Sequence, residues 1–255
     1  MSDLFDTPKS AIPAPRPLAD RLRPQTLAEV IGQSHVLSAQ GPLGSMIGAH
    51  SLSSLILWGP PGVGKTTIAR LLAQQTDLAF VQISAIFTGV PDLRKVFETA
   101  KIRRQNGQGT LLFVDEIHRF NKAQQDGFLP YMDDGTILLV MATTENPSFE
   151  LNAALLSRAQ VIVLERLSPV DLERLAQRAE QDLQRALPLD GFARETLIEM
   201  ADGDGRTLLN LIEQVAAWSL TQPLTSDQLS TRLMRRASKY DKSGEEHYNL
   251  ISALH

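Results

Sequence analysis

The chain has 255 residues, 43% of them hydrophobic and 21% charged, which is typical of a soluble globular protein with one large domain or with a core domain and a smaller one. Its net charge of −4 argues against a surface coated in positive charge, and the absence of cysteine excludes disulfides, thiolate metal sites and cysteine nucleophiles. No apolar run approaches the roughly 20 residues of a membrane span and no signal peptide is visible, so we expect a cytoplasmic protein without a membrane segment.

Elements of the first two thirds of the chain alternate between strands and helices. Residues 1–17 contain four prolines and little apolar periodicity, which predicts a flexible or extended arm. Over residues 18–167 the alternation predicts an α/β core, a parallel sheet with helices on both faces. The predicted strands are Leu55–Trp58, Ala79–Ile83, Thr110–Val114, Ile137–Ala142 and Val161–Leu164, and the predicted helices include Asp92–Arg104 and Lys122–Tyr131.

After Leu167 the strand signals stop, and apolar residues recur at three- and four-residue spacing. This pattern predicts a small all-α domain over residues 168–237. Its predicted helices are Val170–Arg185, Gly191–Ala201, Arg206–Leu220 and Ser226–Arg236. Residues 238–255 are charged at first and then apolar, and we expect them to begin a helical region that this chain does not complete.

One segment has the phosphate-binding pattern GxxxxGK[ST], between an apolar strand and a helix that starts near Lys65. The glycines let backbone N–H groups turn toward one point, and the helix N-terminus adds positive potential, so phosphate oxygens can be held there. We predict a nucleoside triphosphate site in which Lys65 reaches the β- and γ-phosphates and Thr66 coordinates Mg²⁺. The nucleotide-binding residues of this segment are Gly59, Pro60, Pro61, Gly62, Val63, Gly64, Lys65, Thr66 and Thr67.

A second segment supplies two carboxylates directly after a predicted strand. Four apolar residues precede Asp115, which predicts a buried parallel strand that ends at the edge of the sheet where ligands bind. We expect Asp115 to bind the metal and Glu116 to polarise the attacking water. The five histidines show no spacing typical of metal ligands, so Mg²⁺ carried with ATP is the only metal expected.

Four strings of residues resemble the bacterial replication-associated recombination protein A family of AAA+ ATPases, which is kin to the Werner-helicase-interacting ATPase and to the clamp loaders. These strings are Asp115–Asp126, Ala142–Asn152, Leu155–Ala159 and His247–His255. The resemblance covers nearly everything from Leu18 onward. It implies a P-loop AAA+ core followed by a helical lid. In that family the chain continues into a helical oligomerisation domain, and we expect this sequence to end before it.

The resemblance also implies roles for residues outside the two motifs. Val30 and Ile31 match the segment that packs on adenine, although plain core packing would explain the same residue types equally well. Thr144 matches the sensor position that contacts the γ-phosphate or the attacking water, and Thr143 and Asn146 are close alternatives. The positions of these side chains relative to the nucleotide site bear on the choice between the alternatives.

Two arginines and one serine match further positions of the family. Arg158 matches the arginine finger, which would enter the site of a neighbouring subunit, and Arg206 matches the second sensor of the lid. A surface arginine and an ordinary helix start are the plainer alternatives. Ser84 matches a polar residue that restrains the catalytic glutamate, here Glu116, or it simply ends its strand.

The resemblance implies a DNA-dependent ATPase that remodels or maintains stalled or gapped replication forks. The expected partners are single-stranded, gapped or forked DNA and further copies of the chain in a tetramer. Single-stranded-DNA-binding protein and, through Ser2–Phe5, the sliding clamp are also expected partners. These partners imply a nucleoid-associated location.

Two basic clusters are either solvated helix ends or phosphate contacts. They consist of Lys101, Arg103 and Arg104, and of Arg232, Arg235, Arg236, Lys239 and Lys242.

Two other functions remain open at this point. A protein remodeller of the same fold would thread polypeptide past an aromatic loop, and Ile86–Gly89 offers such a loop. A nucleotide-gated adaptor would bind partners without turnover, and it would be expected to lack Glu116 or Arg158, both of which are present.

Overall fold

The computed structural model describes residues 16–219 and 222–234. Most of the predicted N-terminal arm, the sliding-clamp segment Ser2–Phe5 and the region 238–255 lie outside these ranges. So do the string His247–His255 and all members of the second basic cluster except Arg232.

A five-stranded parallel sheet forms the centre of the molecule, as predicted, with the strand order β2-β3-β4-β1-β5. The order places β1, which precedes the phosphate-binding segment, beside β4, and places β3, which precedes Asp115, on the other side of β4. Each strand lies within one or two residues of its predicted bounds. The strands are β1 Leu55–Trp58, β2 Ala79–Ser84, β3 Thr110–Asp115, β4 Leu138–Thr143 and β5 Gln160–Val163.

Helices cover both faces of the sheet, because successive strand side chains point to opposite sides. On β3, Leu112 and Val114 belong to one apolar cluster with Phe97 of α5, whereas Leu111 and Phe113 belong to another with residues of α4. The helices of the core are α1 Leu18–Arg21, α2 Ser34–Leu37, α3 Pro42–Gly48, α4 Lys65–Gln75, α5 Val90–Gln105, α6 Lys122–Asp126, α7 Leu129–Asp133, α8 Pro147–Glu150 and α9 Ala153–Leu156. Short 3-10 turns lie at Leu27–Glu29 and Ile117–Arg119.

The prediction of one helix over Lys122–Tyr131 was wrong, since the structure has two short helices there, α6 and α7. The reason is Pro130. It has no N–H to donate to the carbonyl of Asp126, so an α-helix cannot run through this point. Pro130 is instead accommodated in the first turn of α7, where no such hydrogen bond is needed.

A helical lid follows the sheet. It contains α10 Pro169–Leu183, α11 Gly191–Ala201 and α12 Gly205–Ala216, and residues 226–234 are also helical. Arg194 of α11 joins α10 through what we call the Arg194 cluster: it donates to both oxygens of Glu173 and of Glu180, at 2.9 to 3.1 Å. This cluster fixes the two lid helices against each other.

The first helix of the chain packs on the lid. Leu18 and Leu22 lie in the same apolar cluster as the buried residues of α10, α11 and α12. The backbone N–H of Leu18 also donates to Glu213 of α12 at 3.1 Å. The boundary between the domains, predicted at residue 167, stays a prediction, and the residues just after the N-terminal arm contact the lid. Within the described ranges, no helix is long and apolar enough to cross a membrane.

Candidate functional site

A cavity of about 540 Å³ lies between the sheet and the lid, and we call it the core–lid cavity. Most residues predicted to bind nucleotide line it. From the phosphate-binding segment and the ends of the neighbouring elements come Pro61, Gly62, Val63, Gly64, Lys65, Thr66, Thr67, Asp115, Glu116, Val30, Ile31 and Arg206. Gly59 and Pro60 do not line it, but their carbonyl oxygens accept hydrogen bonds from Lys65 Nζ at 2.6 and 2.8 Å.

The phosphate-binding segment forms a tight loop whose backbone only glycine adopts easily. Gly62 has φ +68° and Gly64 has φ +99°, both in the left-handed region. Gly64 is the N-cap of α4, so the backbone N–H groups of the next residues point out of the helix end into the loop. Burial lowers the pKa of Lys65, and the charges of Glu116 and Asp115 oppose that shift. The loop therefore has the shape and charge of an anion cradle.

The lid touches this loop directly at Gly62. A Cβ atom at that position would lie 1.7 Å from Oδ1 of Asp204, and the N–H of Gly205 donates to the Gly62 carbonyl at 3.3 Å. Asp204 also caps α12, accepting a hydrogen bond from the N–H of Thr207 at 2.9 Å. Arg206, two residues after Asp204, is exposed and lines the cavity, and its role as the second sensor stays a prediction. This role of Asp204 was not predicted from the sequence, in which only its position before a helix could have indicated it.

Asp115 is the last residue of β3, and Glu116 follows in a left-handed conformation with φ +54°. For a residue with a Cβ this conformation is uncommon and costs energy, and such residues concentrate at functional sites. Ser84 ends the neighbouring strand β2, and the N–H of Ile86 donates to its hydroxyl at 3.4 Å. That contact fits the plainer alternative, in which the serine ends its strand.

A buried histidine contacts Glu116. The Nε2 atom of His118 lies 3.3 Å from Oε2 of Glu116, and the side chain of His118 is only 6% exposed. Its other ring nitrogen, Nδ1, lies 2.9 Å from the hydroxyl of Thr143, which is completely buried at the end of β4. This arrangement was not predicted from the sequence, because the histidines were considered only as metal ligands. The feature that could have indicated it is the position of His118, two residues after Glu116.

Three residues were candidates for the sensor position after β4. Thr143 carries the contact with His118. Thr144 is half-buried, and Asn146 caps α8 by accepting from the N–H of Ser148 at 3.0 Å. None of the three is among the residues that line the core–lid cavity. The choice of Thr144 stays a prediction.

Arg158 lies outside the core–lid cavity, exposed between α9 and β5. Its guanidinium group makes a two-pronged contact with Asp133 of α7: Nε donates at 2.7 Å to Oδ1 and Nη2 at 3.2 Å to Oδ2. This hydrogen bonding holds the pKa of Asp133 below its usual value and raises that of Arg158. Arg158 is therefore held in place outside the cavity of its own chain.

Part of the lining of the cavity is apolar, as a site for a nucleotide base requires. Val30 and Ile31 line it together with Leu175 and Leu209 of the lid. Val30 also packs against an apolar cluster of the sheet, which fits the plain-packing alternative, and its contact with adenine stays a prediction. Arg178 of α10 and Glu29 also line the cavity, and Arg178 donates to the carbonyl and carboxylate of Glu29, at 3.2 and 3.1 Å.

The cavity fits ATP with Mg²⁺. The glycine loop with Lys65, apolar side chains and the oxygen ligands Thr66 and Asp115 all line this one cavity. In residues 16–219 and 222–234 no three histidine or acidic side chains cluster as a metal cage. One carboxylate and one hydroxyl suit Mg²⁺ that arrives with phosphates and keeps its waters.

Comparison with known proteins agrees with this geometry. Residues 55–167 match the family model described as "ATPase family associated with various cellular activities (AAA)", and residues 183–255 match the model "AAA C-terminal domain". Replication-associated recombination protein A of Escherichia coli is 45% identical over 94% of this chain and 56% of its own length. ATPase WRNIP1 of Dictyostelium discoideum is 38% identical over 94% of this chain and 30% of its own. The chain therefore spans about half or less of the length of these relatives.

Among solved structures, the RuvB Holliday junction branch migration motor of Thermotoga maritima has a similar fold. The TM-score is 0.66 at 26% identity, covering 82% of this chain and 71% of that one. The shared part includes a sheet and a following helical domain, which is the arrangement described above.

Proposed function

The chain belongs to the AAA family of ATPases, as a homologue of replication-associated recombination protein A, and on this premise we propose that it hydrolyses ATP in response to DNA at replication forks. More specifically, we propose a clamp-loader-like motor that remodels or maintains stalled or gapped forks. The observation that carries the ATPase step is the convergence of the glycine loop, the two carboxylates after β3 and a lid arginine on one cavity.

In the proposed reaction water attacks the γ-phosphate in line with the leaving oxygen. Lys65 and the backbone N–H groups at the start of α4 hold the phosphate oxygens, and Glu116 accepts a proton from the water. Thr66 and Asp115 would hold Mg²⁺, which when bound withdraws charge from the phosphate oxygens. Arg206 brings a positive charge from the lid to the same phosphates, so that lid position and nucleotide state are coupled.

The proposal further requires an oligomer. Arg158 is exposed, does not line the cavity of its own chain and is held by Asp133, which supports delivery of its guanidinium group to a neighbouring subunit. We therefore propose a homo-oligomer, a tetramer in the full-length relatives, with turnover that depends on assembly.

DNA dependence rests on the names of the relatives, since one acts in replication-associated recombination and another is a branch migration motor. The basic cluster on α5 adds little support. Lys101 lies over the ring of Tyr131 at 5.0 Å, and Arg104 pairs with Asp134 at 3.6 Å. We propose contacts to DNA phosphates, with single-stranded-DNA-binding protein and the sliding clamp as further partners and a nucleoid-associated location.

A second candidate function has one specific observation in its favour. In the loop after β2, Phe87 is 87% exposed and Ile86 57% exposed. Exposed apolar side chains in a loop can grip an extended polypeptide. A protein remodeller would use them, and stimulation of hydrolysis by an unfolded protein would favour this alternative.

The test compares ATP hydrolysis without DNA, with single-stranded DNA, with forked DNA and with an unfolded protein. It uses this chain and a version extended to the full length of its relatives, and Glu116→Gln serves as the inactive control. Stimulation by DNA, strongest in the longer chain, is the expected result. Hydrolysis that ignores DNA in both lengths would refute the DNA-dependent function, and stimulation by unfolded protein alone would replace it with the remodeller.

A further inference from the structure

We propose that His118 is a positioning residue for ATP hydrolysis, which holds the carboxylate of Glu116 and is itself held by Thr143. The proposal rests on the proposed ATPase function, because Glu116 matters only if it activates water. The observation that carries it is a continuous chain of contacts, from the Thr143 hydroxyl through both nitrogens of one buried imidazole to one carboxylate oxygen.

The contacts are shielded from water to different degrees. Thr143 is fully buried and the His118 side chain is 6% exposed, whereas the Glu116 side chain is 26% exposed and lines the core–lid cavity. The carboxylate is thus fixed from its buried side and reaches the cavity from its open side. In a poorly hydrated environment a polar contact of this kind is stronger than at the surface.

The backbone holds His118 in place. Residues Ile117–Arg119 form a 3-10 turn, and the N–H of Arg119 donates to the Glu116 carbonyl at 2.9 Å. Ile117 is completely buried and anchors this turn in the core. Glu116 itself has the left-handed backbone described above, which requires support from its surroundings. The turn and the strained residue together point the imidazole at the carboxylate.

Thr143 connects this arrangement to the phosphate-binding loop. Its carbonyl accepts a hydrogen bond from the N–H of Gly59, the first residue of that loop, at 3.2 Å. One residue of β4 therefore contacts the loop through its backbone and the histidine through its side chain. This is possible because β4 lies between β1 and β3 in the sheet.

The chemistry of the ring makes a definite demand. A carboxylate only accepts hydrogen bonds, so Nε2 of His118 must carry a proton if this 3.3 Å contact is to act as a hydrogen bond to Glu116. The Thr143 hydroxyl can donate to Nδ1 or accept from it, and its other contacts are with the backbone of Glu145, at 3.0 and 3.2 Å. Nδ1 therefore lies beside a hydroxyl that is itself held in place by the backbone of Glu145.

The activity test measures kcat and the dissociation constant of a non-hydrolysable ATP analogue separately. For His118→Ala we expect kcat to fall by roughly tenfold to a hundredfold, the cost of a misplaced catalytic group, while analogue affinity stays within about twofold. His118→Gln, whose amide can still donate to Glu116, should recover part of the loss. Thr143→Ser should retain kcat and Thr143→Val should lower it. His50→Gln, at an exposed histidine, is the matched control.

A kcat within about twofold of wild type in His118→Ala would overturn the proposal. A parallel loss of analogue affinity and of thermal stability would do the same, because it would indicate a merely structural histidine.

A second measurement does not depend on hydrolysis. In protein labelled with ¹⁵N-histidine, ring spectra at pH 8 report which nitrogen of His118 carries the proton, and His118→Gln assigns the signals. We expect a protonated Nε2 whose resonance moves in Glu116→Gln and in Thr143→Val, but not in His50→Gln. A proton on Nδ1 alone, or a ring insensitive to Glu116→Gln, would overturn the proposal. If neither this chain nor the version extended to the full length of its relatives hydrolysed ATP, the proposed function would fall and these spectra alone would decide.

Discussion

Replacing Arg194 by methionine should destabilise the lid by about 2–4 kcal/mol. The arginine contacts Glu173 and Glu180 of α10, and methionine keeps much of its apolar stem while removing all four hydrogen bonds. Glu180 is 17% exposed, so its charged hydrogen bonds contribute about 1.5–3 kcal/mol. Glu173 is 32% exposed, and solvent reduces its share to about 0.2–1 kcal/mol.

The assay is urea unfolding followed by tryptophan fluorescence. The chain has two tryptophans, Trp58 on β1 and Trp218 just after α12, so a Trp58→Phe background makes the signal report the lid. Arg174→Met is the matched control: this arginine lies on the same helix α10, is 67% exposed and is 3.8 Å from Asp171. We expect it to change stability by less than about 0.5 kcal/mol.

The effect of Arg194→Met should depend on pH in a defined direction. Hydrogen bonds from Arg194 lower the pKa of Glu173 below its ordinary value of 4.5. Burial raises the pKa of Glu180, but hydrogen bonds from Arg194 and from the N–H of Leu187 outweigh it, and the net shift is downward. A carboxyl group with a lowered pKa in the folded state stabilises the fold fully above its unfolded pKa and loses that contribution as the pH falls through the folded pKa.

The stability difference between wild type and Arg194→Met should therefore be full at pH 7 and shrink below about pH 4.5. Equal stability of Arg194→Met and Arg174→Met at pH 7, or a difference that persists undiminished at pH 3, would refute the reasoning.

Gly62→Ala should weaken binding of a fluorescent ATP analogue by about tenfold or more, since its Cβ would lie 1.7 Å from the carboxylate that caps α12 and φ is +68°. Gly48→Ala, whose Cβ would meet nothing within 4 Å, should bind normally, and equal affinities would contradict the clash. Arg158→Ala and Lys65→Ala should each hydrolyse little ATP alone, yet a mixture of the two should recover part of the activity, whereas no recovery would argue against a finger supplied in trans. Gln125→Leu should lower the free energy of unfolding in urea by about 1–3 kcal/mol. The buried amide donates to the Phe120 carbonyl and accepts from the Asn152 N–H, both at 2.9 Å, and leucine leaves both groups without a partner. An unchanged midpoint of unfolding would show that water takes the place of the amide.

The sheet could be predicted from the sequence because buried parallel strands are short apolar runs. Thr110–Asp115 lies between turn residues and is buried over its first five positions, so its bounds were predicted to within one residue. The phosphate-binding loop was equally visible, because its glycines and its lysine occupy fixed positions in a short segment. Local patterns thus decide local structure here.

The break between α6 and α7 was missed for a physical reason. Apolar spacing continues across Pro130, and periodicity alone does not register that this residue lacks an N–H. The contact between His118 and Thr143 was missed because the two residues are 25 positions apart and meet only once β3 and β4 lie side by side. Contacts of this kind depend on the order of strands, which a single sequence does not display.

The packing of α1 on the lid has a consequence for synthesis of the chain. The hydrogen bond between Leu18 and Glu213 joins residues 195 positions apart. At about 5–20 residues per second, a ribosome takes roughly 10–40 s to make the second partner after the first. During that interval the apolar side chains of Leu18 and Leu22 have no lid to pack on. The sheet can therefore form while Leu18 and Leu22 are still uncovered, and α1 can pack only after the lid has been made.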